Sequence, residues 1–405
     1  MVPLEFVAKL ARPNTTKILL VVMDGLGGIP GGPKGLTALD EAKTPNLDGI
    51  APRATLGSID LVSPGITPGS GPGHFGLFGY DPVKYLIGRG VLSAAGLGLE
   101  MQAGDIAARI NFCTVDANGV VTDRRAGRIP TEACTKLCEK LNAGLNIPGV
   151  TVTVKPEREH RAAALFRGPG LDPGIGDTDP QQEGKKPLEP RCTADTPAGH
   201  KTEGLIRDFV AQAARILASE KPANMILLRG FDAPPHLPVF PEIFKLKAAA
   251  IAVYPMYRGL ARLVGMEVIP VEGERNADEV TALERIWKDY DFVYLHVKKT
   301  DSYGEDGNRD AKIHVIEEVD SLVPRLMALK PDVLLVTGDH STPAALKGHS
   351  WHPSPLLLLA STGRPDGHPR FTELNCVRGG IGRIAAVDMM PLALAHALRL
   401  DKFGA

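Results

Sequence analysis

VLLVTGDHSTPAALKGHSWH, residues 333–352, runs from an apolar strand straight into polar chemistry. Val333 to Val336 is long enough for one fully buried strand. It stops at Thr337-Gly338; Asp339 and His340 follow at once, and His349 comes nine residues later. A carboxylate and an imidazole just past a buried strand sit where open α/β sheets carry their sites. Asp with two His also suits a divalent cation. Taken alone, the stretch equally fits a turn capped by Asp339 with two surface histidines.

Working outward, the composition bounds what the chain can be. Its 405 residues predict two domains, and 43% apolar residues fill a sizeable core. With 23% charged residues and a net charge of -1, there is no footprint for nucleic acid and no membrane-seeking surface. The N-terminal residues hold no apolar segment of signal-peptide length, and no apolar run approaches the span of a bilayer. Five scattered cysteines, an odd number, fit a reducing cytoplasm rather than a disulfide framework. Cys134 and Cys138 share a helical spacing but have no matching pair elsewhere, so they read as core. The 44 glycines and 34 prolines gather at 25–35, 63–73 and 167–199, which predicts long functional loops.

Lys17 to Met23 is a second buried strand that ends in an acid, Asp24. The glycines behind it fail the dinucleotide-loop spacing because Pro30 replaces the third glycine, so they predict close backbone approach instead. Pro68-Gly69-Ser70-Gly71-Pro72-Gly73-His74 predicts a sharp turn that bares the Ser70 hydroxyl. Residues 106–121 read as a hairpin with its turn near Asn118-Gly119. From Met225 onward strands and helices alternate, through 248–254, 267–271, 292–297, 333–337 and 356–360. This predicts an α/β fold with a doubly wound, mostly parallel sheet, into which a smaller α+β domain is inserted. The expected division is 1–104 with 226–405 for the sheet domain and 105–225 for a substrate-binding or lid domain.

Asp24, Asp301, Asp339, His340 and His349 then all fall at or just beyond the carboxyl ends of predicted strands, with Glu305 four residues past Asp301. That set is large enough for two divalent ions, which, roughly 3.5–4 Å apart, clamp a transferring phosphoryl group. A serine hydroxyl needs such a neighbour to become a nucleophile, and Ser70 is the candidate. Mixed carboxylate and imidazole donors favour Mn²⁺ or Zn²⁺, with Mg²⁺ also accommodated. Anionic substrates need cations: Arg109, Arg124, Arg125, Arg128, His160, Arg161, Arg229, Lys247 and Lys298 are the candidates. About half of these are expected to pair with acids of the protein instead.

VVMDGLGG, KTPNLD, ITPGSGPGH, GYDPVKYLIGRGVLSAAGLG, ARINFCTVD, DRRAGRI, LLRG, YPMYRGLARLVGM, HVKKTD and GDHSTPAALKGHS span residues 21 to 350. Together they resemble the archaeal-type cofactor-independent phosphoglycerate mutases of the alkaline phosphatase superfamily. The resemblance implies interconversion of 2- and 3-phosphoglycerate through a phosphoserine, without 2,3-bisphosphoglycerate. It implies that Ser70 carries the phosphoryl group, and that Asp24, Ser70, Asp339 and His340 hold one metal. Asp301 and His349 would hold the other. Glu305 stands where the family often has histidine, and His352-Pro-Ser-Pro replaces Asp-Pro-Val-Pro after the last metal histidine. The rival readings are a phosphatase or phosphonate hydrolase of the same superfamily and a non-catalytic binding protein; a retained serine nucleophile argues against the last. No nucleic acid or membrane partner is expected.

Overall fold

The computed structural model describes residues 2–404. Among them the strands, in chain order, are β1 (Ile18–Met23), β2 (Thr55–Asp60), β3 (Ile106–Val115), β4 (Val121–Asp123), β5 (Thr151–Arg158), β6 (Arg161–Arg167) and β7 (Met225–Asp232). There follow β8 (Ala248–Ala252), β9 (Glu267–Val268), β10 (Phe292–Val297), β11 (Val333–Thr337), β12 (Ser354–Ala360) and β13 (Gly382–Ala385). The chain divides into one compact unit of residues 1–86 with 237–405 and a second of 87–236. No helix among the described residues is long and apolar enough to cross a membrane.

The first unit is built on an eight-stranded sheet in the order β13-β2-β12-β11-β1-β10-β8-β9. β1 lies at its centre, parallel to both β10 and β11, and every residue of β1 is buried. That explains why it reads as a continuous apolar run rather than an alternating one. Only β12 runs against its neighbours. One face of the sheet, including Leu19, Val21, Leu295 and Val336, packs against Val280 and Leu283 of the helix Asn276–Ile286 and Val319 and Val323 of Arg309–Ala328. The opposite face is aromatic: Phe292 lies 5.0 Å from Phe240, and Tyr294 lies 5.1 Å from Phe78.

The second unit has a five-stranded antiparallel sheet, β4-β3-β6-β5 with β7 on the other side of β3. Ile106, Ala108, Ile110 and Phe112 alternate into a core shared with Cys134, Leu137 and Cys138 of helix Thr131–Gly144 and Phe209 and Ala213 of helix Pro197–Leu217. Cys134 and Cys138 are therefore core residues. The sheet assignment of Met225–Leu228 is corrected: this segment, extended to Asp232 as β7, joins the second unit through β3 and does not resume the large sheet. The compact unit is correspondingly wider than 105–225. Besides the rest of β7 it takes in the helix Arg89–Gly96, whose Gly90 lies so near β3 that an added Cβ would stand 2.4 Å from the Ala107 carbonyl oxygen.

Glu279, on the helix Asn276–Ile286, is 3% exposed, and its Oε1 accepts from Val253 N at 3.1 Å. Burial raises its carboxyl from 4.5 to about 8. Below the lower value both folded and unfolded chains hold the proton. Between the two values only the folded chain keeps it, so stability falls as pH rises to about 8. Glu279→Gln keeps the acceptor and removes the ionisation. In denaturant titrations the variant should gain on the parent as pH climbs through this window, by at most roughly 1.4 kcal/mol per pH unit. A constant difference across the window contradicts the assignment.

Candidate active site

Strand register assembles the site. Val22 lies opposite His296 and Thr337, and Met23 opposite Val297, so the residues that follow β1, β10 and β11 emerge side by side. Asp24 N donates to Val297 O at 2.9 Å, Thr300 Oγ1 donates to Asp24 O at 2.6 Å, and Gly25 N donates to Asp339 Oδ1 at 3.1 Å. The glycines after Asp24 make the expected close approach: a Cβ on Gly27 would sit 1.9 Å from Ser341 Oγ. Lys312, itself buried, donates to the carbonyls of Gly25, Gly27 and Thr342 and pins this loop.

Ser70 is not in a bare turn, as its sequence predicts, but is the first residue of the helix Ser70–Leu77. The glycines serve contact rather than turning. A Cβ on Gly73 would lie 2.0 Å from the Asp339 carbonyl oxygen, so only glycine lets the helix lie against that strand end. Ser70 Oγ is 3.3 Å from His340 Nε2. The helix start adds free N–H groups and a partial positive charge, which favour a phosphoryl group at that hydroxyl.

Two groups of donors meet at His340. Asp24, Asp339 and His340 form one, and Asp301, His340 and His349 the other; within each, ligand atoms lie within 4.8 Å of one another. His340 Nε2 is 3.1 Å from Asp24 Oδ1 and 3.2 Å from Asp339 Oδ2, and all three side chains are fully buried. His349 Nδ1 faces Pro68 O at 2.9 Å, which leaves Nε2 pointing inward, 3.6 Å from Asp301 Oδ1. Glu305 Oε1 lies 3.8 Å from His349 Nε2 with its side chain half exposed. The His340 and His349 rings stack at 3.6 Å.

Divalent cations fit this arrangement. Asp24 Oδ1 and Asp339 Oδ2 are buried without a hydrogen-bond donor. Uncompensated buried carboxylates are costly. Lys298 answers part of this charge: its Nζ lies 2.9 Å from Asp24 Oδ2 and also pairs with Asp301. The proton affinities of the Asp24 and Asp339 carboxyls are driven in opposite directions. Burial, then the Asp24 charge, drive Asp339 well above the usual carboxylate range. Burial pushes Asp24 up as well, but Lys298, His296 and His340 outweigh it and hold Asp24 low. Burial, with Asp301 close by, raises Glu305.

A supporting layer escapes sequence reasoning. The Tyr257 hydroxyl donates to Asp24 Oδ2, and His296 Nε2 is 3.4 Å from the same oxygen. His74 Nδ1 stands 2.8 Å from Ser70 O and 3.2 Å from Asp339 Oδ2. Burial lowers His74 and His296 to about 4, so both are neutral imidazoles at ordinary pH. Thr342 Oγ1 donates to Asp301 Oδ1 at 2.7 Å and lies 2.9 Å from His340 Nδ1. The available signal was spacing: His74 follows Ser70 by one helical turn, and Tyr257 lies in the quoted YPMYRG phrase. His352 turns away to Ser350 Oγ, 3.0 Å from its Nδ1.

The cationic candidates separate. Lys247 is corrected: it precedes β8 at the amino edge of the sheet, opposite to the site, and its ammonium lies 4.8 Å from the centre of the Tyr290 ring. Lys298 belongs to the carboxylate cluster. In the second unit, Arg124 is committed to a fork on Asp179, with bonds of 3.0 and 2.6 Å. The register places Arg109 opposite Arg229, and Asn111 opposite Arg161, on the face turned away from the core. Like charges across strands oppose the sheet. Arg229 has Asp177 and Asp179 beside it, each at 3.6 Å. Burial, then the charges of Arg161, Arg109, Arg125 and Arg128, lower the adjacent His160 to about 4. Arg125 and Arg128 are exposed on a left-handed loop that Asp123 braces by accepting from Arg125 N at 2.7 Å and Gly127 N at 2.6 Å.

A serine at a helix start, beside paired carboxylate–imidazole groups at the carboxyl edge of a doubly wound sheet, defines an enzyme site of the phosphoryl-transfer class. Residues 51–224 match the family model described as 2,3-bisphosphoglycerate-independent phosphoglycerate mutase. A relative from Aquifex aeolicus, named "Probable 2,3-bisphosphoglycerate-independent phosphoglycerate mutase", is 52% identical over 99% of this chain and 100% of its own. One of the same name from Thermus thermophilus is 50% identical over 98% of each chain. A solved protein of Pyrococcus horikoshii aligns with TM-score 0.83 at 31% identity, over 98% of this chain and all of its own. The cofactor-independent phosphoglycerate mutase of Thermoplasma acidophilum aligns with TM-score 0.72 at 32% identity, covering 94% of this chain and 100% of its own. The chain belongs to the 2,3-bisphosphoglycerate-independent phosphoglycerate mutase family.

Metal analysis of protein prepared without chelator should find about two divalent ions per chain, as a paired phosphoryl clamp needs. Glu305→Ala should weaken the second ion by roughly tenfold or more, and Glu305→His should restore it with a shift toward Zn²⁺. Unchanged occupancy and activity in Glu305→Ala would make Glu305 a bystander.

Proposed function

We propose that this chain interconverts 2- and 3-phosphoglycerate with Ser70 as the phosphoryl carrier and no bisphosphoglycerate. The observation that carries the reading is the Ser70 hydroxyl at a helix start, 3.3 Å from the His340 nitrogen where both donor groups meet. Asp24, Ser70, Asp339 and His340 would hold one divalent ion, and Asp301, Glu305 and His349 the other. Bound there, the ions would neutralise phosphoryl charge and ease ionisation of the serine hydroxyl. The added oxygen donor of Glu305 favours Mn²⁺.

Ser70 Oγ attacks phosphorus, the bond from phosphorus to the glycerate oxygen breaks, and that oxygen gains a proton as the serine loses its own. The second half repeats this in reverse with the other glycerate hydroxyl, so protons and phosphate balance over one turnover. Tyr257, Lys298 and His74 position Asp24, Asp301 and Asp339. Between the halves glycerate must be retained and water excluded. Arg109, Arg125, Arg128, Arg161 and His160 supply the hydrogen-bond donors that a carboxylate requires. Arg229, although paired with acids, lies on the same face. The setting is cytoplasmic, as a glycolytic substrate and the unpaired cysteines support.

Acid quench within one turnover, followed by peptide mass spectrometry, should find phosphate on Ser70. Ser70→Ala should lose about 10⁴-fold or more in turnover even at saturating metal; full activity in that variant refutes the reading. A mutase assay run beside a free-phosphate assay separates this function from that of a phosphatase. In Arg128→Ala and Arg161→Ala, phosphate leakage should rise relative to isomerisation without a matching drop in melting temperature. A lowered melting temperature with an unchanged leakage ratio would make these arginines structural.

A further inference from the structure

Within the second unit, and separate from the phosphoryl-transfer residues, Cys192, His200 and Glu203 bring a sulfur, a nitrogen and an oxygen within 4.8 Å of one another. The sequence builds this trio at a loop-to-helix junction. Cys192 ends the long loop and is held in place by a bridge to Ile175, with Gly176 N bonded to Arg191 O at 2.9 Å and Thr193 N to Gly174 O at 2.8 Å. Thr196 caps the helix Pro197–Leu217 by accepting from Gly199 N at 2.9 Å. His200 and Glu203 are then three apart on that helix, hence on one face.

We propose that Cys192, His200 and Glu203 form a transition-metal site that takes Zn²⁺ or a cation of similar softness, distinct from the carboxylate–imidazole cluster of the first unit. Cys192 Sγ lies 3.6 Å from His200 Nδ1. A tetrahedral zinc, with bonds of about 2.3 Å to sulfur and about 2.0 Å to nitrogen, sets those two atoms about 3.5 Å apart. The second imidazole nitrogen is already engaged: His200 Nε2 lies 2.7 Å from Asp195 Oδ1. A carboxylate behind the histidine fixes its tautomer and leaves Nδ1 as the electron-pair donor. Glu203 is held facing the thiol, accepting from Cys192 N at 2.9 Å through Oε2 and from Arg207 at 2.6 Å through Oε1. Its remaining lone pairs make it the third ligand, and water completes the fourth position. Binding displaces the thiol proton to solvent and changes no oxidation state. The consequence is a clamp that ties the loop before Cys192 to the helix after it.

Sulfur makes the site separately observable, because the first unit's cluster offers only oxygen and nitrogen donors. The other four cysteines, 113, 134, 138 and 376, are buried. Full-length protein stripped of metal is titrated with Co²⁺ while the near-ultraviolet thiolate-to-cobalt band is recorded. The band should appear, saturate with one equivalent of sulfur-bound cobalt, and be bleached by Zn²⁺. Cys192→Ser should abolish it, and His200→Ala should weaken Co²⁺ binding at this site at least tenfold, both with mutase turnover in Mn²⁺ unchanged. No sulfur band at stoichiometric Co²⁺, or a band of full intensity in Cys192→Ser, overturns the proposal. Neither result bears on the Ser70 reading.

Discussion

The crowding of Asp24, Asp301 and Asp339 around His340 is the constraint on which the rest of the first unit depends. All four are at most 1% exposed. A protein interior does not accept three carboxylates at such spacing unless cations or donors answer them. The fold answers with Lys298, with Tyr257 on Asp24, and with Thr342 between Asp301 and His340. The remaining deficit is what divalent ions would fill. The parallel register of β10, β1 and β11 makes the crowding unavoidable, because it brings three strand ends, each leading into an acid, to one edge. Central strands buried on both faces carry that cost. Their apolar residues contribute about 2 kcal/mol or more each on burial, offsetting an edge that electrostatics alone would pull apart.

Serine's place follows from the same edge. Its helix lies against the Asp339 backbone only because position 73 has no side chain, so the hydroxyl is set by backbone-to-backbone contact rather than by a flexible loop. Such placement is suited to in-line transfer, where small displacements of the attacking atom are expensive. The basic face of the second unit shows the complementary logic. Arg109, Arg161 and Arg229 project from adjacent strands on one side, while alternate residues of those strands fill the core.

Much of this was legible in sequence, and the reasons are specific. β1 and β11 are apolar runs that stop at Asp24 and Gly338-Asp339, and a buried parallel strand can look no other way. The acids beyond them were therefore placed correctly without any contact being known. Ser70 was singled out, but its helix was missed because a Gly-Pro-Gly phrase has turn chemistry locally and becomes helical only against its neighbour. β7 was put in the wrong sheet because an apolar strand does not announce its partner. Lys247 was misjudged for a simpler reason: it stands at the start of a strand, and the site lies at the strands' ends. Tyr257 and His74 join the cluster through helices packed on the aromatic face, and His296 reaches it from β10, opposite Val22. Arg124 and Arg128 are alike in sequence and differ in whether Asp179 is within reach.

The stereochemical course at phosphorus tests the central claim most directly. A substrate whose phosphoryl group is made chiral with oxygen isotopes reports the number of displacements, since each in-line transfer inverts the centre. Passage through Ser70 requires two transfers, to the serine and back to glycerate, so the product phosphoryl group should retain its configuration. Net inversion would mean a single direct transfer between hydroxyls and would contradict the serine-carrier account, whatever the activity of the enzyme.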